Sequence, residues 1–155
     1  MRILVVSDSH GDEHALTDVI ASQPDASVVI HLGDGLREAE AAAARFPDRT
    51  FYTVRGNCDF GAGDVPPARE ESIAGHRLFF THGQYYGVKS DLYRVVCAAR
   101  ERRADILLFG HTHQPLCTYE DGLYIVNPGS LGYDGRFATI DLLPAGVLPA
   151  LQRRL

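Results

Sequence analysis

Short apolar runs alternate with helix-length segments along the first half of the chain. The apolar runs have the length of strands and read ILVVS (3–7), SVVIHL (27–32) and TFYTV (50–54). Between them lie residues 12–22 and the segment LREAEAAAARF (36–46), which is rich in strong helix formers and is followed by Pro47. This alternation is typical of βαβ units, so we predict a parallel sheet here.

The second half of the chain begins after a loop rich in glycine, proline and aspartate at residues 58–67. A hairpin is predicted next, followed by a helix over residues 89–103 and the buried strand DILLFG (105–110). Further short strands, expected to be antiparallel, are PLCTYE (115–120), GLYIVN (122–127), RFATIDL (136–142) and VLPAL (147–151). There is no repeat and no linker, so one domain over residues 1–155 is expected.

Composition narrows the class of protein. A chain of 155 residues with 45% hydrophobic content can bury one substantial core. The net charge of −5 argues against a general nucleic-acid binder, and no stretch has the length of a membrane span. The chain runs from Met1 into a strand pattern without a signal-peptide region, and its three cysteines form no CxxC pair. These features predict a cytoplasmic location.

Polar residues of metal-ligand type stand where the predicted strands end. The carboxyl ends of parallel strands are where ligands bind in open α/β sheets. Side chains at i and i+2 of an extended segment point the same way, so Asp8 and His10 are expected to form a pair, and His111 and His113 a second one. The full set of candidates is Asp8, His10, Asp34, Asn57, His82, His111 and His113.

The chemistry of this set points to more than one ion. Two carboxylates, one amide oxygen and four imidazoles are too many ligands for a single tetrahedral zinc. Two divalent ions fit better, and mixed oxygen and nitrogen donors suit manganese, iron, zinc, nickel or cobalt alike.

Six short motifs follow one another along the chain. They are DSH (8–10), GD (33–34), GNCD (56–59), THG (81–83), GHTH (110–113) and NPGS (127–130). Together they resemble the calcineurin-like metallophosphoesterases and, more narrowly, the small single-domain phosphodiesterases of the YfcE type. The resemblance covers about the whole chain and implies a four-layer α/β/β/α sandwich of two mixed sheets.

The resemblance also implies a role for each candidate. Asp8, His10 and His113 would hold one metal ion. Asn57, His82 and His111 would hold the other, and Asp34 would bridge both. The implied enzyme is a phosphodiesterase with two divalent ions per chain, manganese first among them. It would hydrolyse small phosphodiesters by direct attack of metal-bound hydroxide.

Several positions keep open alternatives. Cys58 replaces a histidine that many relatives carry, which supports the YfcE-type branch; the thiol is either a small apolar residue or a weak acid. Asp59 either orients a ligand histidine or caps a turn, while Gln84 and Arg136 either meet a phosphate or do not. Asn127 and Ser130 are expected to pack beside the metals, and the remaining histidines, His14, His31 and His76, are predicted to be structural or surface residues.

A rival function comes from a different class of protein. The retromer complex contains a scaffold subunit of this fold and length that works by binding protein partners. That subunit does not keep both Asp and His in its first motif, whereas DSH is intact here, so an enzyme is favoured. A nucleotide-binding Rossmann protein is poorly supported, since the chain has neither GxGxxG after the first strand nor a Walker A motif. Homo-oligomer formation stays open.

Overall fold

The computed structural model describes all 155 residues, which form two five-stranded sheets, four α-helices and a one-turn 3₁₀ helix at Gln84–Tyr86. The strands are β1 (Arg2–Val6), β2 (Ala26–His31), β3 (Thr50–Thr53), β4 (Ala68–Ile73), β5 (His76–Thr81), β6 (Ile106–Phe109), β7 (Leu116–Glu120), β8 (Leu123–Asn127), β9 (Arg136–Leu143) and β10 (Gly146–Arg153). The helices are α1 (Glu13–Ser22), α2 (Leu36–Arg45), α3 (Tyr93–Glu101) and α4 (Leu131–Asp134).

The first sheet has the strand order β10-β9-β1-β2-β3. The neighbours β1, β2 and β3 run parallel, with Val6 opposite His31 and His31 opposite Thr53. The parallel sheet predicted for the first half of the chain is therefore confirmed. The two C-terminal strands β9 and β10 extend this sheet in the antiparallel sense.

The second sheet has the order β4-β5-β6-β8-β7. The predicted hairpin is present as β4 and β5, and β7 pairs antiparallel with β8. The expectation that β8 is antiparallel was wrong for its other neighbour, since β8 runs parallel to β6. The reason is the turn at Asp121 and Gly122, where positive φ angles reverse the chain and send β8 back between β7 and β6.

Three apolar clusters make this a four-layer α/β/β/α sandwich, as predicted. Side chains such as Ile30 of the first sheet and Phe80 of the second form the central cluster between the sheets. A second cluster packs α1 and α2 against the outer face of the first sheet, and a third packs α3 against the second sheet. Burial of these side chains is the main stabilising contribution.

Two helical segments differ from the sequence-based expectation. The helix predicted from residue 89 begins at Tyr93, because Gly87 is left-handed and residues 87–91 form a turn instead. The four-residue helix α4 was not predicted at all. Its N-cap is Ser130, whose hydroxyl accepts from the backbone N–H of Tyr133, and it ends at the left-handed Gly135.

The carboxyl ends of the central strands of both sheets meet at one rim. The backbone N–H of Asp8, after β1, donates to the carbonyl of Gly33, after β2, at 3.0 Å. In the second sheet the N–H of Gly110 donates to the carbonyl of His82, also at 3.0 Å. The loops that follow these strands carry the candidate site. None of the helices is long and apolar enough to cross a membrane.

Candidate metal centre

Six of the seven candidate ligands come together in two groups of three. We call Asp8, His10 and His113 the first trio. The second trio is Asp34, His82 and His111. Within each trio the potential ligand atoms lie within 4.8 Å of one another. Each trio thus combines one carboxylate with two imidazoles, drawn from loops of both sheets.

The first trio converges on the carboxylate of Asp8, which is completely buried. Asp8 Oδ1 lies 3.4 Å from His10 Nε2 and 3.1 Å from His113 Nε2. The two imidazole nitrogens are themselves 3.3 Å apart. Two ring nitrogens and a carboxylate oxygen that face one point are the donor set expected around a divalent cation.

The second trio contains a buried nitrogen without a partner. His82 Nδ1 lies 2.8 Å from the carbonyl oxygen of Leu32, which can only accept, so this nitrogen carries the proton. Nε2 of neutral His82 lies 3.2 Å from Asp34 Oδ2, but the two atoms do not have hydrogen-bond geometry, and Nε2 has no hydrogen-bond partner. A buried nitrogen lone pair beside a carboxylate oxygen fits a cation bound to both. A hydrogen bond that fixes the far nitrogen of a histidine is also what orients metal-binding imidazoles.

Electrostatics keep the carboxylate of Asp34 ionised. Burial raises its pKa, but the neighbouring His82 and the N–H of Cys58 outweigh this, so the pKa falls to about 2. For His82, burial lowers the pKa, yet the nearby carboxylates of Asp34 and Asp8 and the carbonyl of Leu32 leave it raised. The Asp34 carboxylate also approaches the first trio, with Oδ2 4.0 Å from His10 Nε2.

The backbone around the trios is not extended, and in this respect the prediction of i and i+2 pairs was wrong. Five of the six residues have φ angles between 46° and 69°, in the left-handed region. For residues other than glycine this conformation stores strain, and such strain gathers at functional sites. Backbone hydrogen bonds hold it in place, for example from His10 N–H to the Asp34 carbonyl at 3.0 Å. The two imidazoles of each trio are therefore brought together by turns that follow the strands, and His111 and His113 enter different trios.

Close approach of the loops explains two of the glycines. A Cβ at Gly56 would lie 2.1 Å from Asp34 Oδ1, and one at Gly110 would lie 3.0 Å from Asp8 Oδ2. A side chain at Gly56 would therefore displace the Asp34 carboxylate, and one at Gly110 would clash with Ser7 Oγ, 2.1 Å from that Cβ, and crowd Asp8.

The seventh candidate, Asn57, is placed differently. Its side chain is exposed, and its amide nitrogen lies 3.4 Å from Cys58 Sγ as a donor. Cys58 itself reaches the centre, because its Sγ lies within 4.8 Å of the ligand atoms of His10 and Asp34. Burial and the neighbouring Asp34 charge raise the pKa of this thiol. The metal-binding role of Asn57 stays a prediction.

Asp59 caps a helix and contacts no histidine, so the turn-capping alternative is the correct one. Its carboxylate accepts four backbone N–H groups across two loops. Oδ2 accepts from Asp34 and Gly56, each at 2.7 Å, and Oδ1 accepts from Gly35 at 2.9 Å and Leu36 at 3.1 Å. Gly35, the N-cap of α2, has no side chain to do this. Asp59 thereby fixes the backbone of Asp34 from outside.

The predicted structural role of His31 is confirmed, since it is fully buried and belongs to neither trio. The N–H of Gly33 donates to its Nδ1 at 3.1 Å, so Nε2 carries the proton and donates to Ser9 Oγ at 2.9 Å. The Ser9 hydroxyl donates in turn to Glu38 Oε1 at 3.1 Å. Burial lowers the pKa of His31. His14 and His76 also lie outside the trios.

The NPGS segment packs beside the first trio, as predicted. Ser130 Oγ donates to the carbonyl of Asp8 at 3.0 Å, and Asn127 Nδ2 donates to Thr112 Oγ1 at 2.9 Å. Gln84 has a buried Oε1 without a partner, and the guanidinium of Arg136 forms neither a hydrogen bond nor an ion pair. The phosphate contacts considered for these two side chains stay predictions. The three cysteines are free, as expected.

Tyr133 lies at the site but was not predicted from the sequence. The ring of Tyr133, on α4, lies 5.1 Å from the ring of His10 and 5.2 Å from that of His113, measured between centroids. The only sequence signal was the spacing of a serine cap and a closing glycine around a single helical turn. Tyr133 also lines an open cleft of about 1100 Å³, together with His10, Asp34 and Cys58.

Comparison with known proteins agrees with this geometry. Residues 1–142 match the model of the calcineurin-like phosphoesterase superfamily domain. The probable metallophosphoesterase YsnB of Bacillus subtilis is 36% identical over 133 residues, which cover 84% of this chain and 75% of YsnB. Phosphodiesterase YfcE of Escherichia coli is 26% identical, over 97% of this chain and 91% of YfcE.

Solved structures show the same fold. A predicted phosphoesterase from Streptococcus pneumoniae superimposes with a TM-score of 0.78 at 24% identity, covering 97% of both chains. Vps29 from Chaetomium thermophilum gives a TM-score of 0.74 at 18% identity, covering 97% of this chain and 95% of Vps29. The resemblance read from the six motifs is confirmed, and the chain belongs to the calcineurin-like phosphoesterase superfamily.

Proposed function

We propose that this chain is a phosphodiesterase that binds two divalent metal ions, one at each trio, and hydrolyses small phosphodiesters. The observation that carries the proposal is the buried Nε2 of His82, which has no hydrogen-bond partner and lies 3.2 Å from the ionised Asp34 carboxylate. A nitrogen lone pair and a carboxylate oxygen in that arrangement fit a cation. The diester class is supported by the relative named phosphodiesterase YfcE.

The residues of the chain have separate tasks in this proposal. The chemistry that two bound ions supply is a water of lowered pKa and compensation of charge on the phosphoryl oxygens. Asp8 and Asp34 bring two negative charges into a site of four imidazoles. The carbonyl of Leu32 orients His82, and Asp59 fixes the backbone of Asp34. The oxygen and nitrogen donors suit several divalent ions, and manganese is the first expectation from the family resemblance.

Direct attack by water fits the state of the nearby hydroxyl groups. Ser7 and Ser9 are fully buried, and their hydroxyls donate to the carboxylates of Asp8 and Glu38. Neither is free to attack a phosphate. In the proposed reaction the water oxygen bonds to phosphorus, the ester P–O bond breaks, and the leaving oxygen takes up a proton as an alcohol. Single turnover in ¹⁸O-water should put the label into the phosphomonoester product, whereas an unlabelled product, with its new oxygen supplied by the protein, would contradict direct attack.

The test is hydrolysis of a chromogenic aryl phosphodiester by protein stripped of metal and then reconstituted with manganese. Activity should return with the metal, and Asp34→Asn should reduce it by roughly 10²–10³-fold because a charge at both trios is lost. Asp64→Asn is the matched control, an exposed carboxylate in the same cleft with no hydrogen bond. Equal activity of wild type and Asp34→Asn would contradict the proposal.

A partner-binding scaffold is the second candidate. It is favoured by the fold shared with Vps29, although 18% identity supports the fold alone. All seven predicted ligand positions are present in this chain, which favours the enzyme. Two bound ions without turnover of any diester would favour the scaffold.

A further inference from the structure

We propose that Tyr133 is a stacking surface for the ester group of the substrate, and that the cleft selects phosphodiesters whose ester group carries a neutral planar ring such as a nucleobase. This inference rests on the proposed phosphodiesterase function and names the substrate class of that site. The observation behind it is the position of an exposed aromatic ring directly beside the first trio.

The helix that carries Tyr133 is fastened to the loop that carries Asp8. The N–H of Leu131 donates to the carbonyl of Ser7, and the N–H of Gly132 donates to that of Asp8, each at 3.0 Å. A Cβ at Gly132 would lie 2.4 Å from the carbonyl oxygen of Ser9, so this contact admits only glycine. The tyrosine is therefore held in a fixed position relative to the first trio.

The ring of Tyr133 is left open to solvent in that position. It is tilted by 38° to the ring of His10 and by 37° to that of His113, and the residue is 69% exposed. A large aromatic side chain contributes most to stability when it is buried, and this one is not. One face covers the imidazoles while the rest is available to a ligand. A phosphate bound at the trios would bring its ester group to this ring.

A second exposed aromatic ring lines the same cleft. Phe60, on the loop after Asp59, is 91% exposed and pairs with no other aromatic side chain. Phe60 directly follows Asp59, whose carboxylate binds the backbone N–H of Asp34. Two exposed aromatic rings in one cleft fit a planar apolar group better than a flexible alkyl chain.

The charges in the cleft favour a substrate that carries no second phosphate group. Besides Asp34, Glu38 and Asp59, the charged residues that line the cleft are the exposed carboxylates Glu13, Glu40 and Asp64 and one guanidinium, Arg37. None of these four forms an ion pair. The surroundings of the trios are therefore net negative, which disfavours a substrate with a second phosphate group. A diester of a nucleoside with a single phosphate meets both conditions.

The experiment compares two ligands that share the phosphate and differ in the ring. Adenosine 5′-monophosphate and methyl phosphate are titrated into the manganese-loaded protein by calorimetry. Wild type should bind the nucleotide more tightly, and Tyr133→Ala should weaken nucleotide binding by about three- to tenfold with methyl phosphate unchanged. Tyr133→Phe should keep the preference. The control is Tyr93→Ala, which removes an exposed tyrosine of α3 that does not line the cleft.

Metal content is measured on every variant to separate stacking from a purely structural role. Loss of manganese in Tyr133→Ala, or an equal loss of affinity for both ligands, would overturn the stacking surface. The proposed function fails in a different way, if wild type hydrolyses no diester while still preferring the nucleotide to methyl phosphate. Retained metal together with a selective loss for the nucleotide supports the assignment.

Discussion

The two trios have the same chemical composition and different surroundings. In the first trio the side chains of His10 and His113 are 20% and 33% exposed, Asp8 is buried, and His10 borders the open cleft. In the second trio His82 is 0% exposed and Asp34 is 3% exposed, and only His111 is half-buried. Identical donors at two depths imply two metal positions of unequal access. We expect the buried position to hold its ion tightly and the open one to exchange it.

The supports of the trios differ in the same direction. Buried hydrogen bonds hold the second trio, from His82 Nδ1 to the carbonyl of Leu32 and from the backbone of Asp34 to Asp59. The imidazoles of the first trio pack against the ring of Tyr133. Polar contacts in a low-dielectric interior fix geometry more firmly than contact with an exposed ring.

The largest effect is expected from removing one histidine of each trio. His82→Ala and His113→Ala should each lower diester hydrolysis by roughly 10²–10³-fold, because each removes one ion and its compensation of charge. Plasma emission spectrometry should find one manganese per chain in either variant. His14→Ala, which removes an exposed histidine outside the trios, should keep two. Two ions in both variants would contradict the assignment of the trios.

The next largest effect is expected from replacing Asp59, which holds the backbone of Asp34 in the second trio. Asp59→Asn replaces a carboxylate that accepts four N–H groups, so the free energy of unfolding should fall by about 2–4 kcal/mol. The affinity for one of the two ions should fall by about 10–100-fold. Urea denaturation and metal titration measure these, and Asp64→Asn is the control. Equal weakening of both ions would show that Asp59 does not distinguish the trios.

A smaller effect is expected when metal is removed from the intact protein. A chelator should take out one ion at least about tenfold faster than the other, since outer partners of a site tune its affinity by that order. In His113→Ala the fast phase should be missing, because the exposed position has lost its ligand. Release of both ions in a single phase would contradict the difference in access.

The smallest effect concerns His31, which supports the loop between Asp8 and His10. Burial lowers its pKa in the folded protein, so below the ordinary value the unfolded chain binds more protons and stability falls as the pH falls. Metal-free wild type should lose up to about 1.4 kcal/mol more than His31→Gln between about pH 7.5 and pH 5.5. Urea denaturation at both pH values measures this, and parallel losses would show that His31 does not set the acid sensitivity.

The layers of the fold and most of the site residues could be predicted from the sequence, because both depend on the order of the strands along the chain. Runs such as residues 3–7 and 105–110 are apolar and short, and the polar residues that follow them had to meet where parallel strands end. The trios themselves came from the family motifs. The glycines next to the ligands were signals of close approach, and the distances at Gly56 and Gly110 explain why.

The remaining features depend on contacts between loops distant in sequence. The left-handed backbone at Asp8 and His10 is held by hydrogen bonds to the loop after β2, which no local pattern encodes. Asp59 stands more than twenty residues from the N–H groups of Asp34 and Gly35 that it caps. Tyr133 is positioned by a helix of four residues, too short for a periodic pattern.

Anomalous diffraction at the manganese edge, from crystals of the reconstituted protein, is the most direct test of two metal positions. One peak should lie among Asp8, His10 and His113 and a second among Asp34, His82 and His111, with the second at higher occupancy after brief soaking in chelator. A single peak, or manganese bound outside these six side chains, would contradict the two-position centre.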